Sequence, residues 1–168
     1  MRLTAFGLLA LLLSSSLAYS AVVGRFDDAV SAYERGDYAT AFRLMKPYAE
    51  KGDAKAQHNL GVMYDYGRGV PQNYTEAMKW YRRAAEQGLP EAQVNLGVLY
   101  YDGRGVPQDY VLAHMWLSLA ASRYPASFRK NVQDIVHYRE IVDAKMTPAQ
   151  IAEAERLARK WRPKPERK

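Results

Sequence analysis

The residues that could take part in catalysis or bind a metal are three histidines and one serine–lysine pair. His58, His114 and His137 lie far apart, and no His-Glu-x-x-His spacing occurs, so the sequence predicts no metal site. Ser127 and Lys130 have the Ser-x-x-Lys spacing of a serine nucleophile, but the Ser-Asp-Asn and Lys-Thr-Gly partner motifs are missing. We therefore interpret Ser127 as a helix-capping residue. The sequence predicts neither a catalytic residue nor a cofactor, and we expect the chain not to be an enzyme.

Two asparagines could recognise the main chain of a polypeptide. Asn59 and Asn95 each stand directly before a Leu-Gly pair, 36 residues apart. A side-chain amide offers a donor and an acceptor, and an extended peptide presents both groups. Charged and aromatic residues are spaced to lie on the same helical face as each asparagine. Lys55 and Tyr66 share a face with Asn59, and Glu91 and Asp102 share one with Asn95. The alternative is that both amides bond to their own helix or to the neighbouring helix.

These asparagines belong to a repeat with a period of 36 residues. Residues 56–85 align with residues 92–121 without a gap, and the run Gly-Arg-Gly-Val-Pro-Gln at 67–72 recurs unchanged at 103–108. Periods between about 20 and 50 residues are typical of solenoids, in which each unit buries its apolar face only against its neighbours. We therefore expect a stack of similar units.

Each unit is predicted to contain two helices. In the first helix Asp53 is placed to cap the start, and Ala56 and Leu60 share one face. Gly61 lies inside this helix and recurs as Gly97 in the next unit. Because a glycine inside a helix costs about 1 kcal/mol relative to alanine, this recurrence indicates that the partner helix crosses too closely for a β-carbon.

A glycine-containing loop joins the two helices of a unit. Gly67 and Gly69 are expected to take positive φ; the loop lacks the third glycine of a dinucleotide-binding fingerprint. Asn73 and Glu76 have the spacing of a capping box at the start of the second helix. That helix carries one large and several small residues on its apolar face: Ala77, Trp80, Tyr81, Ala84 and Ala85. Large and small side chains in this order favour interdigitating helices.

The pattern Ala-Gln-x-x-Leu-Gly-x-x-Tyr, followed by Gly-x-Gly-Val and Ala-x-x-Trp-x-x-x-Ala-Ala, resembles the Sel-1-like repeat (SLR) family of TPR-like helical solenoids. The resemblance covers residues 54–125 strongly and residues 26–53 weakly. It implies a right-handed superhelix that acts as a protein-interaction adaptor in bacterial envelopes, host–microbe contact and signalling. It also implies that the position before the Leu-Gly pair faces a concave groove, which would place Asn59 and Asn95 in that groove.

The fold predicted from these patterns is all-α: a right-handed α-solenoid of TPR/Sel-1-like helical hairpins with C-terminal capping helices. Its expected parts are a signal peptide at 1–20, a TPR-like hairpin at 21–53, Sel-1-like repeats at 54–89 and 90–125, and a helical cap with a basic tail at 126–168. In the last segment no third Gly-x-Gly loop occurs, and Thr147 with Gln150 forms a predicted capping box.

The N-terminus resembles an export signal. A positive Met1-Arg2 start precedes about 15 apolar residues, and small residues follow at 18–20. We predict cleavage between Ser20 and Ala21, and a location in the periplasm of a Gram-negative source or otherwise outside the cell. The apolar stretch is short for a membrane span of about 20 residues, but a retained anchor is the alternative. The chain has no cysteine, which excludes disulfides and a lipid-modified N-terminal cysteine.

Charge is concentrated at the C-terminal end. Residues 21–125 hold 12 basic and 12 acidic side chains, whereas residues 126–168 hold 11 basic and 6 acidic ones. Two interpretations follow: a solvated cap with a basic end, or a docking surface for anionic lipid or cell-wall polymer. Nucleic acid is not expected as a partner, because export would separate the protein from it. The predicted function is a non-enzymatic adaptor that binds protein or peptide, with envelope docking as the alternative; the sequence leaves the partner's identity and the oligomeric state open.

Overall fold

The structure, a computed structural model, describes residues 26–165, and helices joined by short loops make up this part of the chain. The described part of α1 is residues 26–34. The other helices are α2 (Tyr38–Glu50), α3 (Ala54–Tyr66), α4 (Tyr74–Glu86), α5 (Pro90–Asp102), α6 (Tyr110–Arg123), α7 (Arg129–Asp143) and α8 (Pro148–Lys160). From α2 to α7 each helix packs against the next one along the chain, which confirms the predicted α-solenoid. The predicted signal peptide and its cleavage position between Ser20 and Ala21 lie outside the described residues.

Side-chain caps set the start of most helices. Asp53 accepts a hydrogen bond from the backbone N–H of Ala56 at 2.8 Å and so caps α3. Asn73 caps α4 in the same way. The second bond of the predicted capping box is not made, because the Glu76 carboxylate pairs with Lys79 at 2.6 Å. At α8 the predicted capping box is present, with Thr147 as the capping residue. Each such cap is worth about 1 kcal/mol. Within residues 26–165, every helix is too short or too polar to span a bilayer.

The predicted close crossings lie between α3 and α4 and between α5 and α6. A β-carbon placed on Gly61 would come within 2.4 Å of the Tyr81 ring. One placed on Gly97 would come within 2.9 Å of the Leu117 side chain and 3.2 Å of the Ala113 carbonyl. The distances of 2.4 and 2.9 Å are shorter than a real β-carbon contact. The close helix crossing that the recurring glycine predicted is therefore confirmed.

The Gly-Arg-Gly loops connect each repeat to the unit before it. Gly67 and Gly69 have positive φ, as predicted. A β-carbon on Gly69 would meet the Tyr38 carbonyl oxygen at 2.4 Å, and one on Gly105 would meet the Tyr74 carbonyl oxygen at the same distance. The second glycine of each loop therefore lies directly against the first turn of the helix that starts 31 residues earlier. This close backbone approach is a second reason, besides turn geometry, for the glycine.

The arginine between the two glycines reaches the same neighbouring unit. Arg68 donates a hydrogen bond to the Tyr33 hydroxyl, and its guanidinium lies 5.5 Å from the centre of the Tyr38 ring. In the next loop Arg104 lies 3.6 Å from the Asp65 carboxylate and 5.3 Å from the centre of the Tyr74 ring. In each of these contacts the negative face of the tyrosine ring attracts the guanidinium.

A buried glutamine in each repeat binds the end of the preceding helix. Gln57 Nε2 donates to the Ala49 carbonyl at 3.0 Å, and Gln93 Nε2 donates to the Ala85 carbonyl at 3.1 Å. These carbonyls belong to a last helical turn, where the N–H groups of Gly52 and Gly88 also donate to them at 3.1 and 3.0 Å. The two recurring glutamines therefore add a side-chain hydrogen bond to each of these acceptors and tie α3 and α5 to the helix before them.

The C-terminal helices depart from the repeating arrangement. Both α7 and α8 pack on α6 but have few contacts with each other, unlike the tightly packed pairs α3–α4 and α5–α6. The chain after α8 then runs back to α4, where the Lys164 N–H donates to the Glu86 carbonyl at 2.8 Å. The expectation that Ser127 caps a helix is wrong: Ser127 lies within a short 3-10 turn, and the N-cap of α7 is Phe128, which makes no side-chain capping bond. The turn places the serine one residue too early to reach the free N–H groups of α7.

Candidate functional site

The N-terminal halves of α3 and α5 carry four of the six side chains that the sequence singled out: Lys55, Asn59, Glu91 and Asn95. The two helices are equivalent in the repeat, so Lys55 corresponds to Glu91 and Asn59 corresponds to Asn95. Residues four apart lie one above the other on a helix, which places each charged residue beside its asparagine. The two units therefore present the same face with opposite charge.

A groove lies between α1 and α3 and extends to the start of α5. It consists of two adjoining cavities of about 300 and 410 Å³, which share Val30, His58 and Asn59. We call it the α1–α3 groove, and its lining includes Phe26, Val30, Lys55, His58, Asn59 and Glu91. The cavity volumes are those of small-molecule sites or of a short stretch of peptide.

His58 lies at the centre of this groove. Its Nε2 lies 3.0 Å from Asn95 Nδ2, and its ring centre lies 5.7 Å from that of Tyr81. Burial lowers the pKa of His58 below its ordinary value, while Glu91 and the Asn59 side chain partly offset that effect. The ring is therefore neutral at neutral pH, and Nε2 of a neutral ring accepts the hydrogen bond that the Asn95 amide donates.

The six residues predicted from the sequence do not form a single cluster. Lys55, Asn59 and Glu91 line the α1–α3 groove together. Asn95 contacts the groove through His58, as in the alternative in which the amide bonds to a neighbouring helix. Tyr66 and Asp102 lie at the opposite ends of their helices, beside the Gly-Arg-Gly loops.

At those loop ends the contacts are with arginines. Tyr66, which is 65% exposed, has its ring 5.1 Å from the Arg68 guanidinium, and Asp102 pairs with Arg104 at 2.6 Å. Near this pair Asp65 is largely buried and accepts a hydrogen bond from the Tyr81 hydroxyl at 3.2 Å. Burial raises the pKa of Asp65, and Arg104 acts in the opposite direction. These residues hold the repeats together and lie outside the groove.

Sequence reasoning missed His58 as a groove residue, together with Phe26 and Val30 of α1. A signal for the histidine was present: its counterpart one repeat later is Val94, so a polar ring replaces an apolar residue at a position where the two helices otherwise agree. No such signal marked α1, because the shorter first unit lacks the motif that aligns the other two.

The groove has the chemistry of a binding site. It combines an apolar wall, a side-chain amide, one basic side chain (Lys55) and two acidic ones (Glu34 and Glu91), a set that suits an extended peptide. Among residues 26–165, no three histidine, aspartate or glutamate side chains come together as they do around a metal ion.

The basic C-terminal segment is partly neutralised by local ion pairs. Arg156 pairs with Glu153 at 2.6 Å, and Arg159 lies 3.3 Å from Glu155. Both pairs lie within one helix at exposed positions. Such exposed pairs contribute little to stability, but they reduce the positive field that α8 presents to an anionic surface.

Comparison with protein families finds two matches to the Sel1 repeat, at residues 54–89 and 90–124. These ranges contain α3 with α4 and α5 with α6. A protein named DAP3-binding cell death enhancer 1 is similar in both Rattus norvegicus and Mus musculus, with 41% identity over 43 residues. That stretch is 26% of this chain and 8% of each relative.

Two solved structures are similar over larger parts of the chain. The first is c5321, a protective antigen of uropathogenic Escherichia coli strains that displays an SLR fold: the TM-score is 0.75, the identity 31%, and the match covers 88% of this chain and 31% of that one. The second is a Sel1 repeat protein from Oxalobacter formigenes, with a TM-score of 0.56, an identity of 33% and coverage of 59% and 39%. The match thus spans about a third of the length of the first solved protein and less than a tenth of the curated relatives.

Proposed function

We propose, on the premise that this chain belongs to the Sel1-like repeat family of protein-binding scaffolds, that it is an exported adaptor whose α1–α3 groove binds an extended peptide. The observation that carries this proposal is that Lys55, Asn59 and Glu91 line one groove against the apolar side chains of α1. In this arrangement the Asn59 amide pairs with the peptide main chain. Lys55 and Glu91 select side chains of opposite charge on the peptide.

Asn95 acts through His58 in this proposal. Its amide holds the imidazole ring at 3.0 Å, so the ring is fixed before a peptide arrives. A preordered wall lowers the entropy that binding must remove from the protein. Asn95 is therefore a positioning residue, whereas Asn59 would contact the peptide itself.

Two features support export as part of the proposal. The first 20 residues have the composition of a signal peptide, and the structural neighbour c5321 is a protective antigen of a pathogen. On this proposal, protein recovered from the periplasm of an expressing Gram-negative host begins at Ala21, and intact-mass measurement decides between cleavage and a retained anchor.

Selection of peptides from a random library, followed by calorimetry, tests the groove. Asn59→Ala should weaken binding of the selected peptides by about tenfold, which corresponds to the loss of roughly 1.4 kcal/mol from one or two hydrogen bonds. Asn131→Ala is the matched control, because Asn131 is an exposed asparagine on α7. Equal affinity of the two variants would contradict the proposal.

A charge exchange makes the same test more specific. The double variant Lys55→Glu with Glu91→Lys should prefer peptides with the charge order reversed, because both side chains line the groove. If the exchange leaves the peptide preference unchanged, the peptides bind elsewhere.

The alternative, docking of the basic segment 126–168 on anionic lipid or cell-wall polymer, rests on the excess of 11 basic over 6 acidic residues there. It predicts retention on anionic vesicles that falls steeply with salt, since exposed charges are screened within about 8 Å at physiological ionic strength. Recognition in the groove should persist at moderate salt.

A further inference from the structure

A second cavity lies far along the chain from the α1–α3 groove, where the C-terminal helices meet α6. It has a volume of about 300 Å³. Helices α6, α7 and α8 all line it, with side chains that include His114, Ser118, Arg139, Asp143, Ile151 and Ala158. The cavity therefore has a polar floor and one apolar wall.

The departure of the C-terminal helices from the repeat explains why this cavity exists. In the repeats the paired helices pack closely, with a glycine at each crossing, whereas α7 and α8 each pack on α6 and leave a gap between them. A gap at the end of a solenoid would ordinarily be filled by apolar side chains. In this cavity the side chains that face the gap include two arginines and two carboxylates.

The charged groups around the cavity are not all paired. The Asp143 carboxylate lies 2.5 Å from His114 Nδ1, and the Glu155 carboxylate lies 3.3 Å from Arg159. Both carboxylates therefore already have a partner. The Nε atom of Arg139 is buried and has no hydrogen-bond partner among residues 26–165.

A buried guanidinium N–H without a protein acceptor is unusual in a folded protein. A guanidinium is a planar, permanently charged donor that binds carboxylates in a bidentate manner. Ile151 and Ala158 of α8 contribute apolar surface to the same cavity. The three groups together match a molecule with a carboxylate at one end and a small aliphatic group at the other.

We propose that this cavity binds the carboxylate of an aliphatic amino acid, with the carboxylate on Arg139 and the aliphatic group against Ile151 and Ala158. Ser118 and His114 lie in the floor, where they can bond the rest of the ligand. The same chemistry is found in a free acylated amino acid and at the C-terminus of a polypeptide. The site is separate from the α1–α3 groove, so failure of either proposal leaves the other intact.

Calorimetric titration of the purified protein with three probes tests the site. The probes are N-acetyl-leucine, N-acetyl-leucinamide, which lacks the charge, and a pentapeptide that ends in leucine with a free carboxylate. The carboxylate probes should bind at least about tenfold more tightly than the amide, since a charged hydrogen-bonded pair is lost in the amide. Tighter binding of the pentapeptide identifies a chain end as the ligand, and tighter binding of N-acetyl-leucine identifies a free small molecule.

Variants localise the binding to the cavity. Arg139→Gln should weaken binding of the carboxylate probe at least about tenfold, while Arg156→Gln, which removes an exposed arginine paired with Glu153 outside the cavity, should not. Ile151→Trp places a larger apolar side chain in the cavity without changing any charge, and this variant should abolish binding. Melting temperatures measured without ligand show whether each variant is folded.

Three outcomes would overturn the proposal: no binding of either carboxylate probe to the wild-type protein, equal binding of acid and amide, or unchanged affinity in both folded cavity variants. If Arg139→Gln does not fold, Ile151→Trp alone decides the question.

Discussion

The two Sel1 repeats share a backbone plan but differ in the chemistry of their interiors. Where the first repeat has Tyr81 bonded to a buried Asp65, the second has Leu117 and Tyr101 at the equivalent positions. Where the first has His58, the second has Val94. The second loop glycine and the buried glutamine make equivalent contacts in both repeats, and each loop arginine lies beside a tyrosine ring of the preceding unit. Positions that recur therefore carry the architecture, and positions that differ are where a function can reside.

The largest expected effect tests what the repeats share. Gly69→Ala and Gly105→Ala should each lower the free energy of unfolding by about 3 kcal/mol, because both combine a positive φ with a β-carbon 2.4 Å from a backbone oxygen. Gly36→Ala is the control, since Gly36 has φ of 81° but no atom within 4 Å of the added β-carbon, and it should cost about 1 kcal/mol. Urea denaturation measures all three. A loss in one loop alone would show that the two loops are not equivalent.

A smaller effect should separate the repeats at their helix crossings. Gly61→Ala should cost about 2 kcal/mol, because the added β-carbon meets the Tyr81 ring at 2.4 Å. Gly97→Ala should cost about 1 kcal/mol, because its nearest neighbour at 2.9 Å is the Leu117 side chain, which can adjust more easily than a ring. Thermal melts with calorimetric enthalpies give the two values.

The control for this difference is the Tyr81→Leu background, which makes the first crossing resemble the second. There the cost of Gly61→Ala should fall toward that of Gly97→Ala, as a double-mutant cycle would reveal. An undiminished cost would mean that the backbone, and not the Tyr81 ring, sets the difference between the repeats.

The smallest effect is a pH dependence that His58 gives to the first repeat. Burial lowers the pKa of His58 in the folded state, so between that lowered pKa and the ordinary value of 6.5 the unfolded chain binds more protons than the folded one. Stability should therefore fall as the pH drops below about 6.5, and the bond from Asn95 to Nε2 should be lost on protonation.

His58→Val, which copies the second repeat, should flatten the stability profile in that range. The exposed Asn131, which does not titrate, is the control, and Asn131→Ala should leave the profile as in the wild type. A profile that is the same in wild type and His58→Val would show that His58 does not titrate differently on folding.

The sequence predicted the repeating features well because each has a local cause. Gly61 and Gly97 pointed to close crossings, and Thr147 with Gln150 pointed to a capping box; the structure confirms both. These predictions needed only a residue type and its spacing, together with one repeat to compare with the other.

Features that depend on distant partners were not predictable in this way. That Arg68 reaches Tyr33, and that α7 and α8 pack on α6 and leave a cavity, follow from tertiary packing and not from periodicity. The placement of Ser127 in a 3-10 turn was missed for the same reason. For the proposed peptide site, the sequence predicted that Lys55 and Asn59 share a face of one unit and that Glu91 lies on the equivalent face of the next. It contained no motif that would have predicted the α1 side of the groove.

Each Gly-Arg-Gly loop packs on the unit that precedes it in the chain, and this has a consequence for the order in which the units fold. Gly69 and Arg68 complete the packing of the unit that ends before α3, and Gly105 and Arg104 do the same one repeat later. A ribosome releases the N-terminus first, so each hairpin emerges about half a repeat before the loop that closes it. We therefore expect folding to advance along the chain in steps of 36 residues, and a truncated chain to end in a hairpin that lacks the loop that packs against it.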